Sequence, residues 1–226
     1  MINKKLKHVG IVLDGNRRFA KKAGLNFRKG YEIGAEKVEK LLEWMVELDI
    51  FELTLYCFSL ENFSRPKEEL NFLMKLFKSY FRKVKKDKRV EKEGIKLRFV
   101  GKREFFDEEL QEIMNSLEVM TKNNKNHVVN FAFGYGGRQE IVNAVKRLRK
   151  SGEEISEESL QKNLWIGSDV DLVIRFGSEK RMSNFLLWQA SYAEWIFLDK
   201  NWPEFERQDL VDCLDEFKKR SQRFGK

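Results

Sequence analysis

The chain has 226 residues, 42% hydrophobic and 35% charged, which is enough apolar material for a sizeable core and excludes a disordered polymer. Its net charge of +8 and pI near 9.3 favour anionic partners (phosphate esters, nucleic acid or an acidic membrane surface) without choosing among them. Nineteen Phe against two Pro point to long, uninterrupted elements around an aromatic interior.

His8 to Leu13 is a short apolar run rich in β-branched residues, a strand that stops at the turn cluster Asp14-Gly15-Asn16. Ile33, Val38, Leu41, Leu42, Met45 and Val46 recur at helical spacing and predict a helix over 31–49. Phe51 to Ser59 reads as a buried strand ending in the polar loop 61–65. Pro66 then opens a helix through Leu70, Leu73, Phe77 and Phe81, with Glu68 and Glu69 at its positive end and a lysine-rich finish before Gly94. Ile95 to Val100 is a third strand, Asp107 starts another helix, and Val128 to Phe133 is a fourth strand closed by Gly134-Tyr135-Gly136-Gly137. Helices follow over 138–150 and 156–165, a fifth strand over 171–174, a helix near 184–191, a sixth strand over 195–198 and a last helix from Glu206 to Arg223.

Strands alternating with helices, without hairpin signals, predict a single α/β domain over 1–226, a six-stranded, mainly parallel sheet flanked by helices. In such sheets the site lies beyond the carboxyl ends of the strands. Those ends hold Asp14 to Asn16, Ser59 to Arg65, Gly134 to Arg138 and Arg175 to Ser178. Cys57 and Cys213 read as buried thiols, two histidines make a histidine metal site improbable, and no signal peptide or membrane span is visible, so a cytoplasmic protein is expected by elimination.

Asp14-Gly15-Asn16-Arg17-Arg18 is compatible with a plain capped turn. It also suits a phosphate ester: helix N–H groups and two arginines for the anion, and a carboxylate for a Mg²⁺ that bridges its oxygens. No P-loop or dinucleotide fingerprint occurs. Arg175, Arg181 and Ser183 offer a second anion centre. Glu194 reads equally as a structural partner of an arginine or as a second magnesium ligand. The basic run Lys83 to Lys92 reads as a solvated helix end, and no nucleic-acid partner is expected.

Four collinear segments, HVGIVLDGNRRFAKKAGL (8–25), LTLYCFSLENFSRP (53–66), GYGGRQEIV (134–142) and DLVIRFGSEKRMSNFLLWQASYAEWIFLDKNWPEF (171–205), resemble the cis-prenyltransferases, the undecaprenyl and dehydrodolichyl diphosphate synthases. The resemblance implies a soluble homodimeric transferase that condenses isopentenyl diphosphate with an allylic prenyl diphosphate. It also implies a requirement for Mg²⁺ and peripheral contact with the membrane through the lipid product. By the resemblance, Asp14 binds magnesium and assists diphosphate departure, and Glu194 is a magnesium position. Gly15, Asn16, Arg17, Arg18 and Phe19 form the allylic diphosphate loop, joined by Phe27, Arg28 and Tyr31. Asn62 stands at the position assigned to proton removal, within a substrate loop containing Ser59, Leu60, Glu61, Phe63 and Arg65. Arg175, Arg181, Met182 and Ser183 hold isopentenyl diphosphate.

Two segments depart from the family pattern. Phe27-Arg28-Lys29-Gly30-Tyr31 lacks the usual Arg and Gly-His, with Arg28 expected to supply the guanidinium from one position away. Phe176 replaces a small residue after Arg175, so isopentenyl diphosphate is expected to be held differently. An apolar tunnel is expected along Ile33, Val38, Leu41, Leu73, Phe77, Phe131 and Phe133, with the last two either limiting chain length or serving as ordinary core residues. Two competing readings are a catalytically silent partner subunit and a transferase that passes a prenyl group to a non-isoprenoid acceptor. Retention of Asp14, Arg18, Arg175 and Arg181 argues for an active enzyme.

Overall fold

The computed structural model describes residues 6–220. The first strand, β1 (His8–Val12), is followed by the short helix α1 (Asn16–Lys22) and the long α2 (Phe27–Glu47). Then come β2 (Glu52–Ser59), a 3₁₀ turn at Leu60–Ser64, α3 (Lys67–Lys86), α4 (Lys88–Lys92), β3 (Ile95–Val100) and α5 (Glu108–Thr121). The second half runs through β4 (His127–Tyr135), α6 (Gly137–Ser151), α7 (Glu157–Asn163), β5 (Leu172–Arg175), β6 (Glu194–Phe197) and α8 (Arg207–Lys219). The strands form one six-stranded parallel sheet in the order β3-β4-β2-β1-β5-β6.

Both faces of the sheet are covered, as a parallel sheet requires. Val9 and Ile11 of β1, Leu53 and Leu55 of β2 and Phe131 and Phe133 of β4 share one core cluster with Leu41 of α2, Phe81 of α3 and Leu110 of α5. Tyr56, Ala132 and Val173 meet Ile166, Phe185 and Leu186 on the other side. Alternate residues of each strand face opposite sides, so one sequence feeds both cores. The phenylalanines form a contiguous packed group: Phe77, Phe81, Phe99 and Phe106 all lie with ring centroids 4.7–6.2 Å from Phe133. Cys57 and Cys213 are free thiols, and burial pushes the Cys213 thiol up to about 12.

The expected helix near 184–191 does not form. Ser183, Asn184 and Leu186 take φ values of 48°, 61° and 46°, in the left-handed region where a right-handed helix cannot propagate. Two helices also start or stop elsewhere than periodicity suggests: α2 begins at Phe27, where Asn26 caps the Lys29 amide, and α7 spans Glu157–Asn163 with Ser156 as its cap. The end expected for the last helix, at Arg223, lies outside the described residues.

Candidate active site

The carboxyl ends of β1, β2 and β5 bring three loops to one cavity of about 770 Å³. Its mouth is polar and its interior apolar. At the end of β1 the Asp14 amide donates to the Val12 carbonyl (2.9 Å), and the Trp202 amide donates to the Asp14 carbonyl (2.9 Å). Gly15 permits the turn: its φ is 103°, and a Cβ there would meet Asn201 Oδ1 at 2.5 Å. Behind it, α1 packs against α2 through Gly30 and Gly34, where a Cβ would approach Asn16 main-chain O and side-chain Oδ1 to 2.4 and 2.1 Å. With seven residues, α1 contributes little dipole, so the positive charge at the mouth comes chiefly from guanidinium groups.

Asp14 is held between two of these. Arg18 Nη2 lies 3.0 Å from Asp14 Oδ1, and Arg175 Nη2 lies 3.2 Å from Asp14 Oδ2. The Gly15 amide also donates to Oδ1, at 2.7 Å. Arg175 is 3% exposed; its other terminal nitrogen donates to Ser183 Oγ (2.7 Å) and to the Arg181 carbonyl. Burial pulls the Arg175 pKa down, and the Asp14 charge opposes that fall. Glu179 bridges Arg18 (3.2 Å) and Arg181. Gly177 sits against this group with φ 90°, and a Cβ on it would stand 2.2 Å from Arg18 Nη2.

A second basic group gathers around Glu69, which is 6% exposed. It accepts from Tyr31 Oη (2.7 Å), from Arg65 Nη1 (2.7 Å) and from Arg17 Nη1 (3.4 Å). Burial, reinforced by Glu69, pushes the Tyr31 hydroxyl up to about 12, so it remains a donor. On the loop between the two groups, the Ser59 amide donates to Asn62 Oδ1 (3.1 Å), and Asn184 Nδ2 donates to Glu61 Oε1 (3.1 Å). The apolar interior is walled by Val38, Leu73, Phe77, Phe81, Phe131 and Phe133.

Of the residues picked from sequence, Asp14, Gly15, Asn16, Arg17, Arg18 and Tyr31 line the cavity, as do Ser59, Glu61, Asn62 and Arg65. Arg175, Arg181 and Ser183 line it too. Phe19, Leu60 and Met182 fall outside the lining, and Met182 is 40% exposed. Phe63 packs on Phe58, Phe105 and Phe106, and Phe27 packs edge-on against Tyr31 and Phe72. Arg28 pairs with Glu68 at 2.8 Å, so it supplies no guanidinium to the mouth in this arrangement; Arg65 and Arg17 occupy that flank. Phe176 is fully buried against Trp202 and Phe205 (centroids 5.4 and 4.7 Å) and does not enter the diphosphate centre. Ile33 and Leu41 do not line the cavity.

Glu194 sits at the start of the edge strand β6, where it pairs with Arg220 at 3.0 Å rather than with the Asp14 group. Within one chain Asp14, rather than Glu194, is therefore the carboxylate placed between the arginines to hold a divalent cation, with Glu61 and Glu179 also on the cavity wall. Magnesium commonly uses one or two carboxylates with phosphate oxygens and water, and the site fits that pattern only with a diphosphate present. Among the described residues no group of three His, Cys, Asp or Glu could hold a metal alone.

Sequence reasoning missed Tyr56, Glu69, Glu179 and Asn184 as site residues. Tyr56 Oη donates to the Ser183 carbonyl at 3.1 Å while its ring stacks on Phe185 (4.6 Å, 15°), fixing the loop that carries Ser183. The spacing of Glu69 four residues after Arg65 was a usable signal for their pairing. Tyr56 lay hidden in an apolar strand.

The family model described as "Putative undecaprenyl diphosphate synthase" matches residues 12–225. A protein of Pyrococcus horikoshii named tritrans,polycis-undecaprenyl-diphosphate synthase (geranylgeranyl-diphosphate specific) is 44% identical over 97% of this chain and 87% of its own. Its namesake from Thermoplasma acidophilum is 40% identical over 97% and 89%. Among solved structures, lavandulyl diphosphate synthase from Lavandula x intermedia, in complex with dimethylallyl diphosphate, superposes with a TM-score of 0.92 at 31% identity over 97% of this chain and 98% of that one. A probable undecaprenyl diphosphate synthase from Campylobacter jejuni gives 0.85 at 36% identity, over 99% and 100%.

Proposed function

The chain belongs to the undecaprenyl diphosphate synthase family, and from that premise we propose how its site works as a cis-prenyltransferase. The reaction condenses isopentenyl diphosphate with an allylic prenyl diphosphate. The bond between the allylic first carbon and its diphosphate oxygen breaks, with the electron pair leaving on oxygen. The isopentenyl double bond attacks that carbon, and the resulting cation loses a proton to give a cis-polyprenyl diphosphate one unit longer.

One observation carries this reading: Asp14 is held between Arg18 at 3.0 Å and Arg175 at 3.2 Å, at the polar mouth of a cavity whose interior is apolar. A diphosphate head and a hydrocarbon tail fit those two environments. Arg17 and Arg18 face the allylic diphosphate, and Arg175, Arg181 and Ser183 hold that of isopentenyl diphosphate. Preorganised cations act most where charge grows, on the departing diphosphate. Asp14 would hold Mg²⁺ jointly with diphosphate oxygens, and the bound cation would neutralise part of that charge. Asn62, held by its bond from the Ser59 amide, orients the diphosphate oxygen that takes the proton, because a neutral amide is itself a weak base. The apolar wall excludes water from the cationic carbon.

The relatives named as geranylgeranyl-diphosphate specific make that diphosphate the first primer to try. A role for Glu194 in holding the cation would require a second copy to present it, and in that form we retain the homodimer. The convergence of Asp14, Arg18, Arg175 and Arg181 favours an active enzyme over a silent partner subunit. The test is incubation of the purified protein with Mg²⁺, isopentenyl diphosphate and allylic diphosphates of increasing length. A ladder of cis-polyprenyl diphosphates is expected; no product with any primer would favour the partner reading.

A further inference from the structure

The end of the molecule opposite Asp14 has a composition that the reaction does not explain. All six strands are parallel, so the segments leading into β2, β3 and β4 (48–51, 87–94 and 122–126) lie together at that end. Hydrogen bonds tie them into one surface: the Val128 amide to the Phe51 carbonyl (2.8 Å), the Asn126 amide to the Gly94 carbonyl (3.1 Å), and Asn124 Nδ2 to the Ile95 carbonyl (2.9 Å). Three large apolar side chains stand in solvent there, Phe51 at 44%, Val119 at 65% and Met120 at 43% exposure.

Lysines surround them. Lys85, Lys86, Lys88, Lys122 and Lys125 are exposed, and none pairs with a carboxylate among the described residues. Other cations of this end are already neutralised: Lys83 by Glu39, Arg89 by Asp87 and Glu43, Lys92 by Glu93. Exposed Glu91 and Asp49 are acids of this end that offset the surplus in part. Apolar side chains ringed by unpaired lysines match an interface with anionic lipid: hydrocarbon beneath a layer of negative headgroups.

The cavity runs toward the same end. Helix α3 starts at the site and finishes among these lysines, and its Tyr80 and Phe81 form the deep wall of the cavity. Lys85 follows Phe81 by about one helical turn. The apolar floor therefore lies near the lysine-rich surface.

We propose that this end is a docking surface for an anionic lipid bilayer, with the five lysines at headgroup phosphates and Phe51, Val119 and Met120 in the interfacial layer. Docked this way, the enzyme sets the floor of its product cavity against the phase in which a long isoprenoid chain dissolves. The purpose rests on the polyprenyl reading above; the binding itself is tested without catalysis.

The full chain is sedimented with vesicles of equal parts phosphatidylglycerol and phosphatidylcholine, and separately with phosphatidylcholine alone. Wild-type protein is expected on the anionic vesicles, released by high salt, and absent from the neutral ones. Each lysine near such a surface is worth about fivefold in partitioning, so the variant carrying Lys85→Glu, Lys86→Glu, Lys122→Glu and Lys125→Glu should bind roughly six hundredfold more weakly or worse. Val119→Ser with Met120→Ser should weaken binding about tenfold and leave its salt dependence in place. Turnover of soluble substrates in detergent should be unchanged in both variants, which separates loss of docking from loss of fold or chemistry. Equal vesicle binding by wild type and the four-lysine variant would overturn the proposal. So would no binding by wild type, or its equal binding to neutral vesicles.

Discussion

Replacing Gly177 with alanine should damage the site through Arg18 rather than through the backbone. The backbone cost is modest: φ of 90° disfavours an L-residue by roughly 1–2 kcal/mol, partly offset by the stiffer unfolded chain. The new Cβ would stand 2.2 Å from Arg18 Nη2, 3.1 Å from its Cζ and 3.3 Å from Asp14 Cγ, so the guanidinium must leave while the carboxylate needs only a slight shift. Being the end of a flexible side chain, the guanidinium can do so cheaply. Its ion pairs to Asp14 and Glu179 are half-exposed and contribute little to stability. A charge-assisted bond to diphosphate is worth about 1.5–3 kcal/mol, so kcat/KM for the allylic substrate should fall roughly 10- to 100-fold while the fold loses only about 1 kcal/mol. Steady-state kinetics and urea unfolding measure the two separately. On an Arg18→Ala background the same change should cost almost no further activity. Wild-type kcat/KM in Gly177→Ala, or additive losses in the double variant, would refute the reasoning.

Tyr56→Phe removes the hydroxyl that fixes Ser183, and should raise KM for isopentenyl diphosphate about 2- to 10-fold while KM for the allylic substrate holds. Replacing Phe131 and Phe133 with alanine should lengthen the products seen by chromatography; an unchanged distribution would mean they serve packing alone. A urea control is needed, since both rings also pack in the core and each truncation costs about 3–5 kcal/mol. His8 is 1% exposed and bonded to Thr54 Oγ1, and burial lowers its pKa below 6.5, so it is neutral when folded. The unfolded chain takes up the proton first, so this contribution to stability is complete above pH 6.5 and is lost as pH falls below it. The slope is at most about 1.4 kcal/mol per pH unit. Urea titrations at pH 7.5 and 5.5 should show a smaller difference for His8→Gln than for wild type.

The sheet was legible because its strands are short apolar runs that stop at Gly, Asn or Asp, and because each is separated from the next by a helical period. The stretch over 184–191 was not legible: Phe185, Leu186 and Ala190 fit a helical period, yet they pack as a left-handed, turn-rich segment held from elsewhere in the chain by Tyr56, which donates to the Ser183 carbonyl, and by the Arg138 amide, which donates to Asn184 Oδ1. Asp14, Arg18 and Arg175 could be assigned to one mouth from strand ends alone. The partner of Arg28 could not, since Glu68 lies forty residues away on another helix. Phe176 misled for a related reason. A bulky residue beside Arg175 suggested an altered site, whereas strand alternation turns it into the core against Trp202 and Phe205.

The most direct test of the leaving-group centre is the turnover of Asp14→Ala beside its affinity for the allylic diphosphate. Removing this carboxylate takes a negative charge from beside Arg18 and Arg175, so without Mg²⁺ the anionic substrate should bind at least as well as to wild type. Departure of diphosphate should slow by about 10²- to 10³-fold or more. Unimpaired turnover, or a defect confined to binding, would contradict the account.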